Sequence, residues 1–266
     1  MASAKRDLRI LLTNDDGIKA PGLWALADKL QHQGRVVVVA PDREQSAVSS
    51  AITLHQPLRV SEVKPLVEGI EAYAVEGTPA DSVILGLRML MKDGVDVVVS
   101  GINEGVNVGD DVFLSGTVGG AMQGYFQGIP AIAVSVAMGE SFHFEPPATL
   151  VALLASKIGS APSLNGRQFL NVNFPNLPLE DIKGLEITRL AHTGYVDRIE
   201  KGHDGKRDFY WIKRGRASQE VEHDTDLWAI QGGKISIAPL HNNLTCAAPD
   251  PSLQTLGESL FQSLRG

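Results

Sequence analysis

Two adjacent carboxylates follow the first apolar run of the chain, in the tetrapeptide Asn14-Asp15-Asp16-Gly17. Adjacent carboxylates repel each other unless a cation or a strong set of hydrogen-bond donors neutralises them. Their hard oxygen atoms are the ligands that Mg²⁺, Mn²⁺ and Ca²⁺ prefer, so the pair is a candidate metal site. The simpler alternative is a turn in which Asp16 caps the following helix. The tetrapeptide alone favours the turn.

A second group of polar side chains lies in residues 42–57, where one arginine is combined with several hydroxyl groups. Such a set suits an anion or a metal-bound phosphate, because a guanidinium group matches two phosphoryl oxygens. An exposed serine-rich loop is the commoner alternative. The segment is long for a simple connection between elements, which favours a functional role. The candidate residues are Asp42, Arg43, Ser46, Ser49, Ser50 and Thr53.

The third group occupies the glycine-dense segment 101–124. Glycines let backbone N–H groups close on an anion, and a helix N-terminus adds unpaired donors and a favourable dipole. The segment is therefore a candidate phosphate cradle, although tight turning between a strand and a helix also explains the glycines. A solvated loop face is the better interpretation of Asp111. For Asp110 the sequence does not decide between a loop face and a role in the cradle. The remaining polar candidates are Asn103, Glu104, Asn107 and the run Ser115-Gly116-Thr117.

Several well-known motifs are absent from the sequence. The chain has neither the G-x-x-x-x-G-K-[ST] phosphate loop nor the G-x-G-x-x-G fingerprint of dinucleotide binding. It also lacks the G-x-S-x-G motif of serine hydrolases and the H-E-x-x-H motif of zinc proteases. Redox and sugar-nucleotide enzymes that depend on a dinucleotide fingerprint therefore lose support.

The three polar groups must meet at one edge of a sheet if they are to act together. Short apolar runs alternate with amphipathic stretches in the first half of the chain. This pattern predicts an α/β fold, a Rossmann-like and mostly parallel sheet with helices on both faces. Each polar group follows a predicted strand, where open α/β sheets bind ligands. The predicted strands are 9–13, 36–40, 95–100 and 131–136, and the predicted helices are 21–30, 77–91 and one from about 116.

The second half of the chain has a less regular pattern. A charged stretch, 198–207, has few apolar residues and indicates an exposed loop or the tip of an extended arm. The alternation in 208–213 predicts a half-exposed strand. Further predicted strands are 169–173, 185–190 and 234–238, and the predicted helices are 149–158, 224–230 and 253–264.

Composition excludes several classes of partner. The 31 acidic residues outnumber the 24 basic ones, and no cluster of Lys and Arg forms the patch that duplex nucleic acid requires. The only cysteine, Cys246, rules out an intrachain disulfide and suits a reducing compartment. No apolar run approaches the length of a membrane span. We therefore expect a cytoplasmic protein with neither a membrane nor a polynucleotide partner.

Five motifs closely resemble the SurE family of survival proteins. Their order and spacing match the family across roughly the first 135 residues, and the remainder of the chain is compatible. The strings are LTNDDG at 12–17, APDREQS at 40–46, EGTPADS at 76–82, SGINEGVNVGDD at 100–111 and SGTVGGAM at 115–122.

The resemblance implies a set of functional residues. By the family pattern, one divalent cation per subunit, Mg²⁺ or Mn²⁺ and also Ca²⁺, would be held by Asp15, Asp16, Ser46 and Asn103. The residues on the phosphate side would be Asn107, Ser115, Gly116 and Thr117. One departure is Ala47, where the family usually has glycine after the ligand serine.

The resemblance also implies an activity and an assembly. Members of the family are metal-dependent phosphatases that act on nucleoside 5′- and 3′-monophosphates, and they form dimers or tetramers through a swapped C-terminal segment. We therefore expect residues 1–140 to form the catalytic core. Residues 141–266 would complete that core and add an extended arm at about 190–215 and a C-terminal oligomerisation segment.

The expected mechanism is attack on the phosphoryl group by a metal-activated water, with Asp15 or Asp16 accepting its proton. A covalent aspartyl-phosphate on Asp15 is the rival route. Aspartate-nucleophile phosphatases usually separate their two aspartates by one residue, which favours water. His55 is a candidate for protonating the leaving group, although a lone loop histidine is more often structural. The alternative function is a nucleotide- or metal-binding regulatory protein without turnover.

Overall fold

A computed structural model describes residues 7–160, 168–192, 195–216, 221–245, 248 and 250–265. Cys246 lies outside these residues. Eleven strands are present in the described ranges: β1 (Leu8–Thr13), β2 (Gly34–Pro41), β3 (Val60–Glu62), β4 (Glu71–Val75), β5 (Val97–Glu104), β6 (Ala131–Val136), β7 (Phe169–Phe174), β8 (Leu185–Ile187), β9 (Tyr195–His203), β10 (Asp208–Arg216) and β11 (Ile235–Pro239). The helices are α1 (Pro21–Leu30), α2 (Pro79–Leu85), α3 (Gly116–Phe126), α4 (Glu145–Ser160), α5 (Asp226–Gln231) and α6 (Pro251–Ser263).

Nine of these strands form one mostly parallel sheet in the order β3-β4-β2-β1-β5-β6-β7-β11-β8. Strands β3 and β11 run antiparallel to their neighbours β4 and β7. Strands β1 and β5 are parallel neighbours. The order of the strands along the chain reverses between them, since β2 lies on one side of β1 and β5 on the other. In a doubly wound sheet this reversal opens a crevice at the carboxyl ends of the strands. The predicted Rossmann-like α/β class is confirmed.

The central strands bury both faces because helices cover each side. On β1, Ile10 and Leu12 belong to the core under α1 and α4, whereas Leu11 belongs to the core under α2 and α3. These side chains are fully buried. Burial of such a side chain contributes about 1.5 to 3 kcal/mol. Near-continuous apolar runs are the sequence pattern of strands covered in this way.

The C-terminal part contains a separate two-stranded hairpin. Strands β9 and β10 pair antiparallel along their whole length, from Asp208 opposite His203 to Arg216 opposite Tyr195. Of the two interpretations of 198–207, the exposed loop is therefore wrong for residues 198–203, which lie in β9, and the tip of an extended arm agrees with the end of this hairpin. Residues 204–207 form the turn, in which Asp204 Oδ1 accepts hydrogen bonds of 2.8 Å from the N–H groups of Lys206 and Arg207.

Two further boundaries differ from the sequence prediction. Helix α2 ends at Leu85, before the predicted end at residue 91, and one π-helical turn follows at Gly86–Leu90. The predicted strand at 185–190 ends at Ile187. Among the described residues, no helix is both long and apolar enough to cross a membrane.

Candidate active site

The loops that follow β1, β2 and β5 converge on one cavity of about 990 Å³. This convergence follows from the strand order, which places β2 and β5 on either side of β1. Of the candidate residues from the sequence, the cavity is lined by Asp15, Asp16, Ser46, Asn103, Glu104, Asn107 and Ser115. Asp111 lines it as well, so its interpretation as a solvated loop face is wrong. The structure thus brings together side chains that are up to 100 positions apart in the chain, 115 against 15.

The turn after β1 is closed by Asn14 and not by Asp16. Asn14 Nδ2 donates a hydrogen bond of 3.0 Å to the Gly17 carbonyl oxygen, and the Gly17 N–H donates one of 3.2 Å to Asn14 Oδ1. Helix α1 begins after Ala20, without any side-chain cap. Capping, the simpler role considered for Asp16, is therefore wrong, and this side chain faces the cavity instead.

Asp15 lies against the N-terminus of α3. Asp15 is 4% exposed, and the Thr117 hydroxyl donates a hydrogen bond to its Oδ1. A Cβ on Gly116 would lie 2.9 Å from Asp15 Oδ2, so the helix backbone is in close contact with the carboxylate. Burial raises the pKa of Asp15, and the hydrogen bond from Thr117 acts in the opposite direction. Gly116 and Thr117 thus lie behind Asp15 and do not line the cavity.

Asp16 carries a buried oxygen that nothing neutralises within the described part of the chain. Its Oδ2 is buried and has no hydrogen-bond partner there. Burial, followed by the negative charges of Asp15 and Glu104, raises the pKa of Asp16 to about 7. A carboxylate in such surroundings needs a cation or a proton. A divalent cation held by Asp15 and Asp16 would supply the missing charge.

Ser46 and Asn103 present neutral oxygen atoms to the same cavity. Ser46 Oγ donates a hydrogen bond of 2.7 Å to Glu44, which leaves its lone pairs available. Asn103 Nδ2 donates one of 2.6 Å to the Gly105 carbonyl oxygen, which leaves Oδ1 as a free acceptor. Two carboxylates with a hydroxyl and an amide oxygen form an all-oxygen donor set, which fits a hard cation. The described residues contain no metal-binding group of three or more His, Cys, Asp or Glu side chains.

Most of the polar residues in segment 42–57 do not reach the cavity. Arg43 is exposed and lies 3.8 Å from Asp42, and neither lines the cavity. Ser49 Oγ donates a hydrogen bond of 2.7 Å to the Phe113 carbonyl oxygen. His55 is exposed and likewise lies outside the cavity lining. Of the six candidates in this segment, Ser46 alone lines the cavity.

Asp81 anchors this segment to α2. Its Oδ2 accepts a hydrogen bond of 2.7 Å from the Thr53 hydroxyl, and its Oδ1 accepts one of 2.8 Å from the Thr53 N–H. The same carboxylate caps α2 by accepting a hydrogen bond of 3.0 Å from the Thr78 N–H. A helix cap thus also fixes the loop that carries Ser46.

A buried amide cluster fixes the backbone of Asn107. Asn173 Oδ1 accepts a hydrogen bond of 2.8 Å from the Asn107 N–H, and Asn171 Nδ2 donates one of 2.7 Å to the Asn107 carbonyl oxygen. Asn107 Nδ2 in turn donates to Ser135 Oγ at 2.8 Å. The sequence prediction missed Asn171 and Asn173. Their signal was polar side chains at alternate positions of an otherwise apolar strand, FLNVNF.

Similar sequences and structures identify the family of the chain. The family model described as survival protein SurE matches residues 10–197. A protein named 5′-nucleotidase SurE from Dehalococcoides mccartyi is 51% identical over 239 residues, which cover 89% of this chain and 90% of the relative. A protein of the same name from Vibrio parahaemolyticus is 45% identical over 242 residues, 90% of this chain and 91% of the relative.

A solved structure extends the comparison to the fold. The crystal structure of the SurE protein from Aquifex aeolicus is 40% identical to this chain and superposes with a TM-score of 0.78. The match covers 94% of this chain and 99% of that protein. From the motifs, the sequence matches and the shared fold, we conclude that the chain belongs to the SurE family.

Proposed function

We propose that this protein is a metal-dependent 5′-nucleotidase, which hydrolyses nucleoside 5′-monophosphates, and 3′-monophosphates as well, to nucleoside and phosphate. The observation that carries the proposal is the unneutralised carboxylate pair of Asp15 and Asp16, which faces a cavity at the N-terminus of α3. Such a site attracts a divalent cation and, beside it, a phosphate group. The activity is that named for the relatives from Dehalococcoides mccartyi and Vibrio parahaemolyticus.

One divalent cation, Mg²⁺ or Mn²⁺, would be held by Asp15, Asp16, Ser46 and Asn103. When bound, it supplies Lewis-acid polarisation of the phosphoryl group and a lowered pKa for water. The hydrogen bond from Thr117 fixes the orientation of Asp15, and that from Ser46 to Glu44 fixes the hydroxyl. The donor set is therefore held in position by the chain itself.

The phosphate group would lie at the N-terminus of α3. Ser115 caps this helix, and its Oγ accepts a hydrogen bond of 3.1 Å from the Val118 N–H, so its own hydroxyl proton is free to donate to a phosphoryl oxygen. Asn107, held by the amide cluster, lines the same cavity. A carboxylate oxygen of Asp15 or Asp16 accepts the proton of the attacking water.

The test is phosphate release from a set of nucleoside 5′- and 3′-monophosphates, measured in EDTA and again after Mg²⁺ or Mn²⁺ is restored. The wild type is expected to release phosphate only with metal, and Asp15→Asn is expected to lose nearly all activity. Asp42→Asn is the matched control, since Asp42 follows β2 directly but does not line the cavity. Equal activity in EDTA would contradict the metal requirement. Tight nucleotide binding without phosphate release would instead support a regulatory binding protein.

We also propose that the chain forms homodimers or homotetramers through its C-terminal segment. The long apolar side chains of α6 are more than half exposed in the isolated subunit, which is unusual for a stable monomer surface. They are Leu253, Leu256, Leu260 and Phe261, and Leu264 directly after the helix is exposed as well. Light scattering is expected to give a multiple of the 28.5 kDa chain mass, and Leu256→Ser combined with Leu260→Ser is expected to lower it. A wild type of monomeric mass would contradict this assembly.

A further inference from the structure

The cavity has an apolar wall in addition to its polar residues. The wall consists of Val106, Leu114, Met138 and Ile212, which come from three separate segments of the chain. Met138 follows β6 and lines the cavity. It lies beside the end of β5, where a Cβ on Gly105 would be 3.5 Å from its Sδ. Ile212 reaches the cavity from strand β10 of the hairpin. Neither side chain can donate to a phosphoryl group or coordinate a hard cation.

Met138 and Ile212 are largely uncovered, with exposed fractions of 71% and 70%. Large apolar side chains that border a polar cavity gain free energy when an apolar surface covers them. The cavity is also larger than a phosphate group and a cation require, since cavities of roughly 300 to 1,000 Å³ hold whole drug-sized ligands. At about 990 Å³ it has room for the rest of a nucleotide.

We propose that Met138 and Ile212 determine substrate specificity by packing against the nucleoside portion of the substrate. This inference rests on the proposed nucleotidase function, which supplies the phosphate end of the same ligand. Aromatic bases offer flat apolar faces, and a methionine thioether adapts to the edge of such a ring. Small phosphomonoesters without a base leave the wall uncovered. The wall therefore favours nucleotides over other phosphomonoesters.

The wall distinguishes poorly between one base and another. Discrimination of base edges requires buried donors and acceptors that would be left unpaired by the wrong base. Met138 and Ile212 supply neither. The expected enzyme accepts purine and pyrimidine nucleotides and rejects small phosphomonoesters chiefly through a high KM.

The test compares AMP with glycerol 2-phosphate, which has no base, for the wild type, Ile212→Ser and Met138→Ser. The ratio of kcat/KM for AMP to that for glycerol 2-phosphate is expected to fall about tenfold or more in each variant, the effect of losing one large apolar contact. The loss should lie in KM for AMP, because contacts far from the reacting atoms bind ground state and transition state equally.

Ile199→Ser is the matched control for the hairpin. Ile199 is paired with Ile212 in the register of β9 and β10, so both side chains are on one face of the hairpin. Ile199 is 60% exposed but does not line the cavity, and its substitution should leave the substrate ratio at the wild-type value. Met138 lies outside the hairpin, so its variant tests the wall even where hairpin substitutions change assembly.

The outcomes separate this inference from the proposed function. A wild type that hydrolyses AMP, with an unchanged substrate ratio in Ile212→Ser and Met138→Ser, overturns the apolar wall alone. An equal fall of the substrate ratio in Ile199→Ser also overturns it, because a change in the hairpin as a whole would then be the cause. A wild type that releases phosphate from neither substrate overturns the proposed function and the wall together.

Discussion

The carboxylate of Asp226 accepts a hydrogen bond of 2.7 Å from the backbone N–H of Gly109, which is 117 positions earlier in the chain. Its other oxygen accepts one of 2.9 Å from the Ala191 N–H. Asp226 is fully buried at the start of α5. The C-terminal half of the protein thus fixes the loop that carries Asn107, and this loop borders the candidate active site.

Replacement of Asp226 by alanine should therefore be strongly destabilising. Each buried N–H that loses its acceptor costs about 1 to 3 kcal/mol. We expect Asp226→Ala to lower the free energy of unfolding by about 2 kcal/mol or more, as measured by urea denaturation. Glu68→Ala, an exposed acidic residue in a loop, is the control and should change it by less than about 0.5 kcal/mol. A similar small change in both variants would refute the role of Asp226 as a clamp.

Asp16→Asn should have opposite effects on stability without and with metal. Without metal, the amide removes a charge that burial and the neighbouring carboxylates disfavour, so the free energy of unfolding should rise by about 0.5 to 2 kcal/mol. With Mn²⁺ at about one hundred times its Kd, the wild type should gain about 2.7 kcal/mol and the variant little of it.

Thermal denaturation in EDTA and in Mn²⁺ measures both effects of Asp16→Asn. Asp42→Asn should behave as the wild type does in both buffers, since Asp42 lies outside the cavity lining. If Asp16→Asn is destabilised in EDTA, or gains as much from Mn²⁺ as the wild type, the buried oxygen of Asp16 is not part of a cation site.

The central sheet could be predicted because its strands are covered on both faces. Burial of every residue from Val36 to Pro41, for example, requires an apolar run, and such a run is visible in the sequence. Strand β9 gave no such signal. Its backbone pairs with β10 alone, and its described side chains face solvent. A strand in such a position does not need apolar residues, so the charged sequence of 198–203 forms it as well as an apolar sequence would.

The same distinction applies to the candidate site, where some residues could be predicted from the sequence and others could not. Position made Asp15, Asp16 and Asn103 candidates, since each lies at or just after the carboxyl end of a strand, and the resemblance to the family added their assignment as metal ligands. Asn173 and Asp226 act on Asn107 and Gly109 across 66 and 117 positions, and such contacts exist only after the chain is folded. The sequence also could not distinguish a contact to phosphate from the hydrogen bond that Thr117 makes to Asp15.

Gly119 should not tolerate a side chain, because helix α3 crosses segment 42–57 at this position. A Cβ there would lie 2.2 Å from the Ser49 carbonyl oxygen and 2.5 Å from its carbon. These backbone atoms can move aside only if the loop is distorted, so Gly119→Ala should destabilise the protein by about 1 to 3 kcal/mol. It should also lower kcat/KM for AMP, because Ser46 lies three residues before Ser49.

Gly257→Ala is the control for Gly119→Ala. Gly257 lies in α6 with nothing within 4 Å of its Cβ position, so alanine there should stabilise the helix by up to about 1 kcal/mol. Denaturation and phosphate-release assays on both variants measure the difference. A Gly119→Ala protein of wild-type stability and activity would contradict the close crossing.

Ala47 has a left-handed backbone, with φ of 58°, at a position where the family usually has glycine. Alanine pays about 1 to 2 kcal/mol for this conformation, whereas glycine adopts it freely. The greater freedom of glycine in the unfolded chain offsets about 0.4 to 1 kcal/mol of that gain. Ala47→Gly should therefore leave the free energy of unfolding unchanged or raise it by up to about 1.6 kcal/mol.

Ala51→Gly provides the opposite case within the same segment. Ala51 is exposed and has no positive φ, so glycine there brings only its unfolded-state entropy and should lower the free energy of unfolding by about 0.4 to 1 kcal/mol. Urea denaturation of the two variants side by side gives the sign of each change. Equal destabilisation by both substitutions would mean that Ala47 is not strained, and that the departure from the family pattern costs this loop nothing.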